Sequence, residues 1–183
     1  MSTNGKVKVA TMWLSGCSGC HMSFLDIDER ILELVKHVDI LFSPIVDIKV
    51  KDMPRVDVGI VEGCVNNTDQ EHELKMLRER CKVLIALGDC AVNGNIPSLR
   101  NQFALRDCLS RAYEQTESTK VACIPNDPIV PKLLPKAHPL QEIVKVDLHI
   151  PGCPPDADCI WFALTELLAG RIPQFNEKNM RYD

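Results

Sequence analysis

The sequence has no apolar run approaching 18 residues, so no segment reads as a membrane span. Its start, Met1-Ser2-Thr3-Asn4-Gly5-Lys6, lacks the charged opening, long apolar middle and cleavage site of a signal peptide, and there is no twin-arginine pair. The chain is therefore expected to stay in the cytoplasm. It has no basic surplus: 21 Lys+Arg stand against 25 Asp+Glu, a net charge of −4, which argues against nucleic-acid binding. It has no internal repeat and no low-complexity tract. What remains is a chain of 183 residues, 45% hydrophobic and 25% charged, long enough to bury a core without disulfides and short enough to be one domain over 1–183.

Strand-like and helix-like stretches alternate. Lys6–Leu14, Asp39–Phe42, Val56–Val61, Lys82–Leu87 and Ile143–Ile150 read as strands, and Val121–Ile124 as a short one. The apolar spacing over Ser23–Val38 predicts one helix. Asn67–Arg80 predicts another, entered through N-cap residues, and Asp156–Ala169 a third, closed by Gly170 and Pro173. Pro97–Thr116 is expected to be helical in part. This alternation implies βαβ units and an α/β fold, a flavodoxin-like doubly wound parallel sheet. Pro125–Pro139 holds five prolines (125, 128, 131, 135, 139) and reads as an extended segment. It is either a stiff crossing loop or a strap against a partner.

Nine cysteines are many for a compartment that disfavours disulfides. Five follow the ends of β-prone runs, in Cys17-Ser18-Gly19-Cys20, Gly63-Cys64, Gly88-Asp89-Cys90 and Gly152-Cys153-Pro154-Pro155. A parallel sheet puts the carboxyl ends of its strands on one edge, where ligands bind, so these five can converge. Cys81, Cys108, Cys123 and Cys159 read as packing residues, Cys123 within a strand. Converging thiolates suit zinc or an iron–sulfur cluster. Structural zinc favours two close pairs, whereas here one close pair is joined by distant single cysteines, which suits a 4Fe–4S cube better. A thioredoxin-like redox pair leaves Cys64, Cys90 and Cys153 without a reason to occupy equivalent loops. The remaining histidines, His37, His72, His138 and His149, form no ligand pair with a cysteine.

Taken with Trp13-Leu14, Val61-Glu62-Gly63, Ala91-Val92-Asn93-Gly94 and Pro151-Gly152, these loops resemble the small subunit of nickel–iron hydrogenases, from about Lys6 to Leu168. The short chain and the run Ile96-Pro97-Ser98-Leu99-Arg100-Asn101 are most similar to the cytoplasmic NAD-reducing type. The resemblance implies that Cys17, Cys20, Cys90 and Cys153 bind the proximal 4Fe–4S cluster, and it leaves Cys64 as a neighbour. It implies an electron-transfer subunit of a hydrogen:NAD oxidoreductase with no catalytic residue of its own. The nickel–iron site is expected in a large subunit, and FMN and further iron–sulfur clusters in diaphorase subunits. Nothing after Gly170 is Cys or His, so one cluster is all this chain can hold.

Met22 stands where many members carry an acidic residue, which counts against a proton role in that loop; His21 reads as a solvated or hydrogen-bonded structural residue. The related quinone-reductase subunit of complex I has adjacent cysteines in its first loop, and the Cys17-x-x-Cys20 spacing speaks against it. FMN in this chain is the lesser expectation, because the first loop would have to serve two ligands. Other readings are a hydrogenase subunit serving a deazaflavin or a ferredoxin, and a structural zinc or scaffold protein.

Overall fold

The computed structural model describes residues 5–45 and 48–176. Residues 1–4, part of the start read above as leaderless, lie outside them. Among the described residues, seven strands and seven helices follow one another, with three short 3-10 turns between them. Four strands carry the site: β1 (Val7–Trp13), β3 (Val56–Glu62), β5 (Cys81–Leu87) and β7 (Leu148–Ile150). With β2 (Val38–Phe42) they form one parallel sheet in the order β2-β1-β3-β5-β7. Counted within the sheet, that order is 2-1-3-4-5, the doubly wound flavodoxin-like order expected from the alternation, with its switch point between β1 and β3.

Apolar side chains alternate between the two faces. On β5, Leu84 and Ala86 pack with Leu74 and Leu77 of α3 (Thr68–Arg80), while Ile85 and Leu87 pack with Ile160 and Ala163 of α7 (Ala157–Leu168). Central strands buried on both faces need a nearly continuous apolar sequence, which explains VLIAL and VGIV, while Asp57 and Lys82 near the strand starts pair with each other. α3 begins as its sequence demands: the Asn67 side chain accepts from the Gln70 N–H at 2.9 Å. α7 does the same through Asp156, which accepts from the Cys159 N–H at 2.6 Å.

Several expectations change. The helix expected over Ser23–Val38 is two, α1 (Gly19–Leu25) and α2 (Arg30–His37). Ile27 between them is fully buried and Asp28 takes a φ of 54°, a left-handed turn that Asp tolerates better than most residues. α1 also starts earlier than expected, so Cys20 lies in its first turn. Val121–Ile124 forms no strand: β-prone residues there meet no neighbouring strand, Val121 is 81% exposed, and Cys123 is exposed rather than packed. Of Ile143–Ile150 only Leu148–Ile150 pairs.

The proline-rich segment is not wholly loop. Its β6 (Leu133–His138) runs antiparallel to β4 (Val65–Asn67) in a second, two-stranded sheet. Between β5 and β6 lie α4 (Asp89–Asn93), α5 (Asn95–Ser98), a 3-10 turn (Leu99–Gln102) and α6 (Leu105–Tyr113). The 3-10 turn pins β6: Arg100 Nη2 donates to Leu134 O at 3.0 Å and to Asn66 Oδ1 at 2.9 Å. Asn101 exchanges two bonds with the Ala137 backbone, at 2.8 and 2.7 Å. Among the described residues no helix is long and apolar enough to cross a membrane.

Candidate metal-cluster site

Strand register aligns the site. Trp13 of β1 pairs with Glu62 of β3, Glu62 with Leu87 of β5, and Leu87 with Ile150 of β7. Four strands thus end at one level, and the loop after each turns into the same space. Cys17, Cys20, Cys90 and Cys153 line one pocket there, together with Gly16, Gly19, Glu62, Gly63, Asp89, Gly152 and Pro154. Cys17 and Cys153 are exposed, Cys90 half-buried and Cys20 buried, so the pocket has an open side and a deep side.

Backbone contacts tie the loops to one another. Leu14 N–H donates to Glu62 O at 2.9 Å, and Ser15 and Cys64 exchange two bonds at 3.0 and 2.8 Å. Gly88 N–H donates to Ile150 O at 2.7 Å, and Asp89 N–H to Gly152 O at 2.8 Å. The Asp89 side chain returns a bond, accepting from Gly152 N–H at 2.8 Å. Ser23 Oγ donates to Pro155 O at 2.5 Å, joining α1 to the last loop. Glycine is required at Gly63, whose φ is 84° and where a Cβ would lie 2.8 Å from the Leu14 carbonyl carbon. The Cys153–Pro154 bond is cis.

The donor set suits thiolates that face a positive centre. Burial, and then the Glu62 carboxylate, push the Cys20 thiol well above its ordinary value. Burial, and then Cys153 and Cys17, push Cys90 up to about 11. Thiols gathered this closely repel one another when ionised, and a cation among them favours joint ionisation. N–H donors already point at two of the sulfurs: Asn95 Nδ2 lies 3.2 Å from Cys153 Sγ and Gly19 N 3.4 Å from Cys17 Sγ. Among the described residues no three of His, Cys, Asp or Glu are grouped to hold a single metal ion. Cys17, Cys20, Cys90 and Cys153 share the lining of one pocket, and four thiols there could hold a four-iron cluster with one thiolate per iron.

Cys64 is fully buried but does not line the pocket; burial, and then Cys90, push its thiol up to about 11, and its sulfur lies 3.6 Å from Asn66 Nδ2. Cys81 and Cys159 are buried core residues, as expected, and Cys108 is half-buried. Glu62 and His21 form a contact the sequence did not signal. The His21 N–H donates to Glu62 Oε2 at 2.6 Å, His21 Nδ1 lies 2.8 Å from the same oxygen, and the ring packs edge-on against Trp13 with centroids 5.2 Å apart. The partners lie 41 positions apart and meet only because β1 pairs with β3.

The family described as NADH ubiquinone oxidoreductase, 20 Kd subunit, matches residues 17–167. That description names the relative against which the cysteine spacing speaks, yet several hydrogenase subunits match along nearly the whole chain. The delta subunit of the NAD-reducing hydrogenase HoxS from Cupriavidus necator is 43% identical over 98% of this chain and 87% of its own length. A subunit of the F420-non-reducing hydrogenase of Methanothermobacter thermautotrophicus is 39% identical over 96% of this chain, which spans 58% of that protein. A crystal structure of an NAD+-reducing NiFe-hydrogenase in its H2-reduced state superposes with a TM-score of 0.92 at 42% identity, covering 97% of this chain and 99% of that one.

Proposed function

The chain belongs to the NADH ubiquinone oxidoreductase 20 Kd subunit family, as a small subunit of the NAD-reducing nickel–iron hydrogenase kind, and from that footing we propose how it works. It is an electron-transfer subunit, one domain over 1–183, that holds a single 4Fe–4S cluster through Cys17, Cys20, Cys90 and Cys153. The observation that carries this reading is the convergence of those four cysteines, from aligned strand ends, on one pocket. When bound, such a cluster supplies a one-electron carrier.

The chain's own residues perform the supporting work. The loops after β1, β5 and β7 bring the four cysteines to one pocket, and Gly19 N–H and Asn95 Nδ2 direct donors at Cys17 and Cys153. The exposed side of the pocket, at Cys17 and Cys153, is where a partner comes close enough for electron transfer. Hydrogen activation needs a metal with an open coordination position and a nearby base. All four cysteines are committed to closing the cluster, so the nickel–iron centre belongs to a large subunit. The chain receives electrons from that subunit and passes them toward diaphorase subunits, with FMN and iron–sulfur clusters, that reduce NAD. The TM-score of 0.92 at 42% identity to an NAD+-reducing hydrogenase chain supports NAD over the other acceptors.

Separated and recombined subunits test the division of labour. Hydrogen–deuterium exchange is expected in the large subunit, and dye or NAD reduction only after recombination with this chain carrying its iron. Exchange by this chain alone would overturn the assignment.

A further inference from the structure

Glu62 is the last residue of β3 and 3% exposed. A carboxylate buried to that degree is costly unless its charge or its hydrogen bonds compensate. One oxygen, Oε2, takes both contacts from His21, at 2.6 and 2.8 Å. The other faces the first loop: a Cβ added at Gly16 would lie 3.9 Å from Oε1. Glu62 therefore spans two structures. It grips the residue that follows Cys20, in the first turn of α1, and it lines the pocket that the four cysteines share. A neutral glutamine at the strand end could still accept from the His21 backbone. The hydrogen bonds alone thus do not require a charge here, and something else must account for a buried carboxylate beside four thiols. The Coulomb interaction of a fixed charge is strong in a water-poor site and little screened by salt.

We propose that Glu62 is a positioning residue for the iron–sulfur site: through His21 it fixes the turn that carries Cys20, and its charge holds the reduction potential of the bound cluster down. The proposal rests on the cluster reading above. Adding an electron beside a buried negative charge is disfavoured, so removing the charge makes reduction easier.

The test is an EPR-monitored redox titration of the assembled complex, with iron counted in the same samples, for Glu62→Gln, Glu62→Asp and Glu62→Ala. Glu62→Gln is expected to keep its iron and to shift the reduced-to-oxidised ratio at a given potential about tenfold toward reduced, which is about 59 mV for a one-electron couple. Glu62→Asp, which keeps the charge, is expected to titrate close to the parent, and Glu62→Ala to lose iron faster to a chelator. Full iron with an unchanged potential in Glu62→Gln overturns the proposal and leaves the cluster reading standing. Iron loss in Glu62→Gln equal to that in Glu62→Ala also overturns it, reducing Glu62 to a packing role. A parent complex whose iron does not depend on the four cysteines overturns the cluster reading first and this proposal with it.

Discussion

Gly88 lies so close to Cys20 that a Cβ built on it would collide with the Cys20 sulfur. Its φ is 82°, which a side chain disfavours in any case. The backbone after β5 and the sulfur after β1 have no room between them. Gly88→Ala is expected to displace Cys20 and to abolish iron retention. Gly170 is the control, because its φ is 74° but nothing lies within 4 Å of its Cβ position. Gly170→Ala is expected to cost about 1 kcal/mol of backbone strain and to keep the iron. Iron content of both purified variants decides this.

Cys90→Ser and Cys153→Ser are each expected to lose the native cluster signal in EPR. Cys64→Ser is expected to keep it, because that residue does not line the pocket. Full iron in both of the first two variants would falsify the ligand set; iron loss in the third would promote Cys64 to a ligand.

Asp147 joins β5 to the segment before β7. Burial raises its carboxyl, but the Leu84 N–H and the Arg78 guanidinium outweigh burial and hold it below the usual carboxylate value. A carboxyl depressed on folding contributes stability that is full above its unfolded value, about 3.9, and is lost as pH falls through the folded one. Asp147→Asn is therefore expected to lower stability at pH 7 by about 1 kcal/mol, since the pair is partly solvated. The difference from the parent should shrink below about pH 4. Melting temperatures of the two proteins from acid to neutral pH measure it, and a constant difference would show that the charge plays no part.

Arg100 bonds Asn66, Leu134 and Pro135 together. Arg100→Ala leaves those acceptors without their donor, at a cost of about 1–3 kcal/mol. Limited proteolysis is expected to speed up within 125–138 while cleavage elsewhere is unchanged.

Much of the fold was readable because parallel strands buried on both faces must be largely apolar, and VDVGIV and KVLIAL are, apart from Asp57 and Lys82, which pair with each other near the strand starts. The cysteine loops were readable because each begins where such a run ends. Other features depend on contacts distant in sequence. The break at Ile27–Asp28 is imposed by burial of Ile27 in a core that the local helical spacing does not encode. β6 contains Pro135, which weighs against a strand, yet it pairs because it lies at an edge and is held by Arg100 and Asn101. Val121–Ile124 has the right residue types and no strand beside it. The sequence allowed a hydrogen-bonded His21 but did not name Glu62 as its partner, because the two lie 41 positions apart and meet through strand pairing.

The level ending of β1, β3, β5 and β7 also governs the order of assembly. A zinc ribbon can capture its metal on a short hairpin, because its ligands are neighbours in the chain. Here Cys17 and Cys153 lie far apart in the chain, and Cys153 reaches the others only after β7 has docked on β5, at one edge of the sheet. Any ligand that needs all four sulfurs must wait for that late, non-local pairing to form. No proteolytic fragment that lacks β7 should capture it, and a nascent chain still short of residue 153 has nowhere to put it.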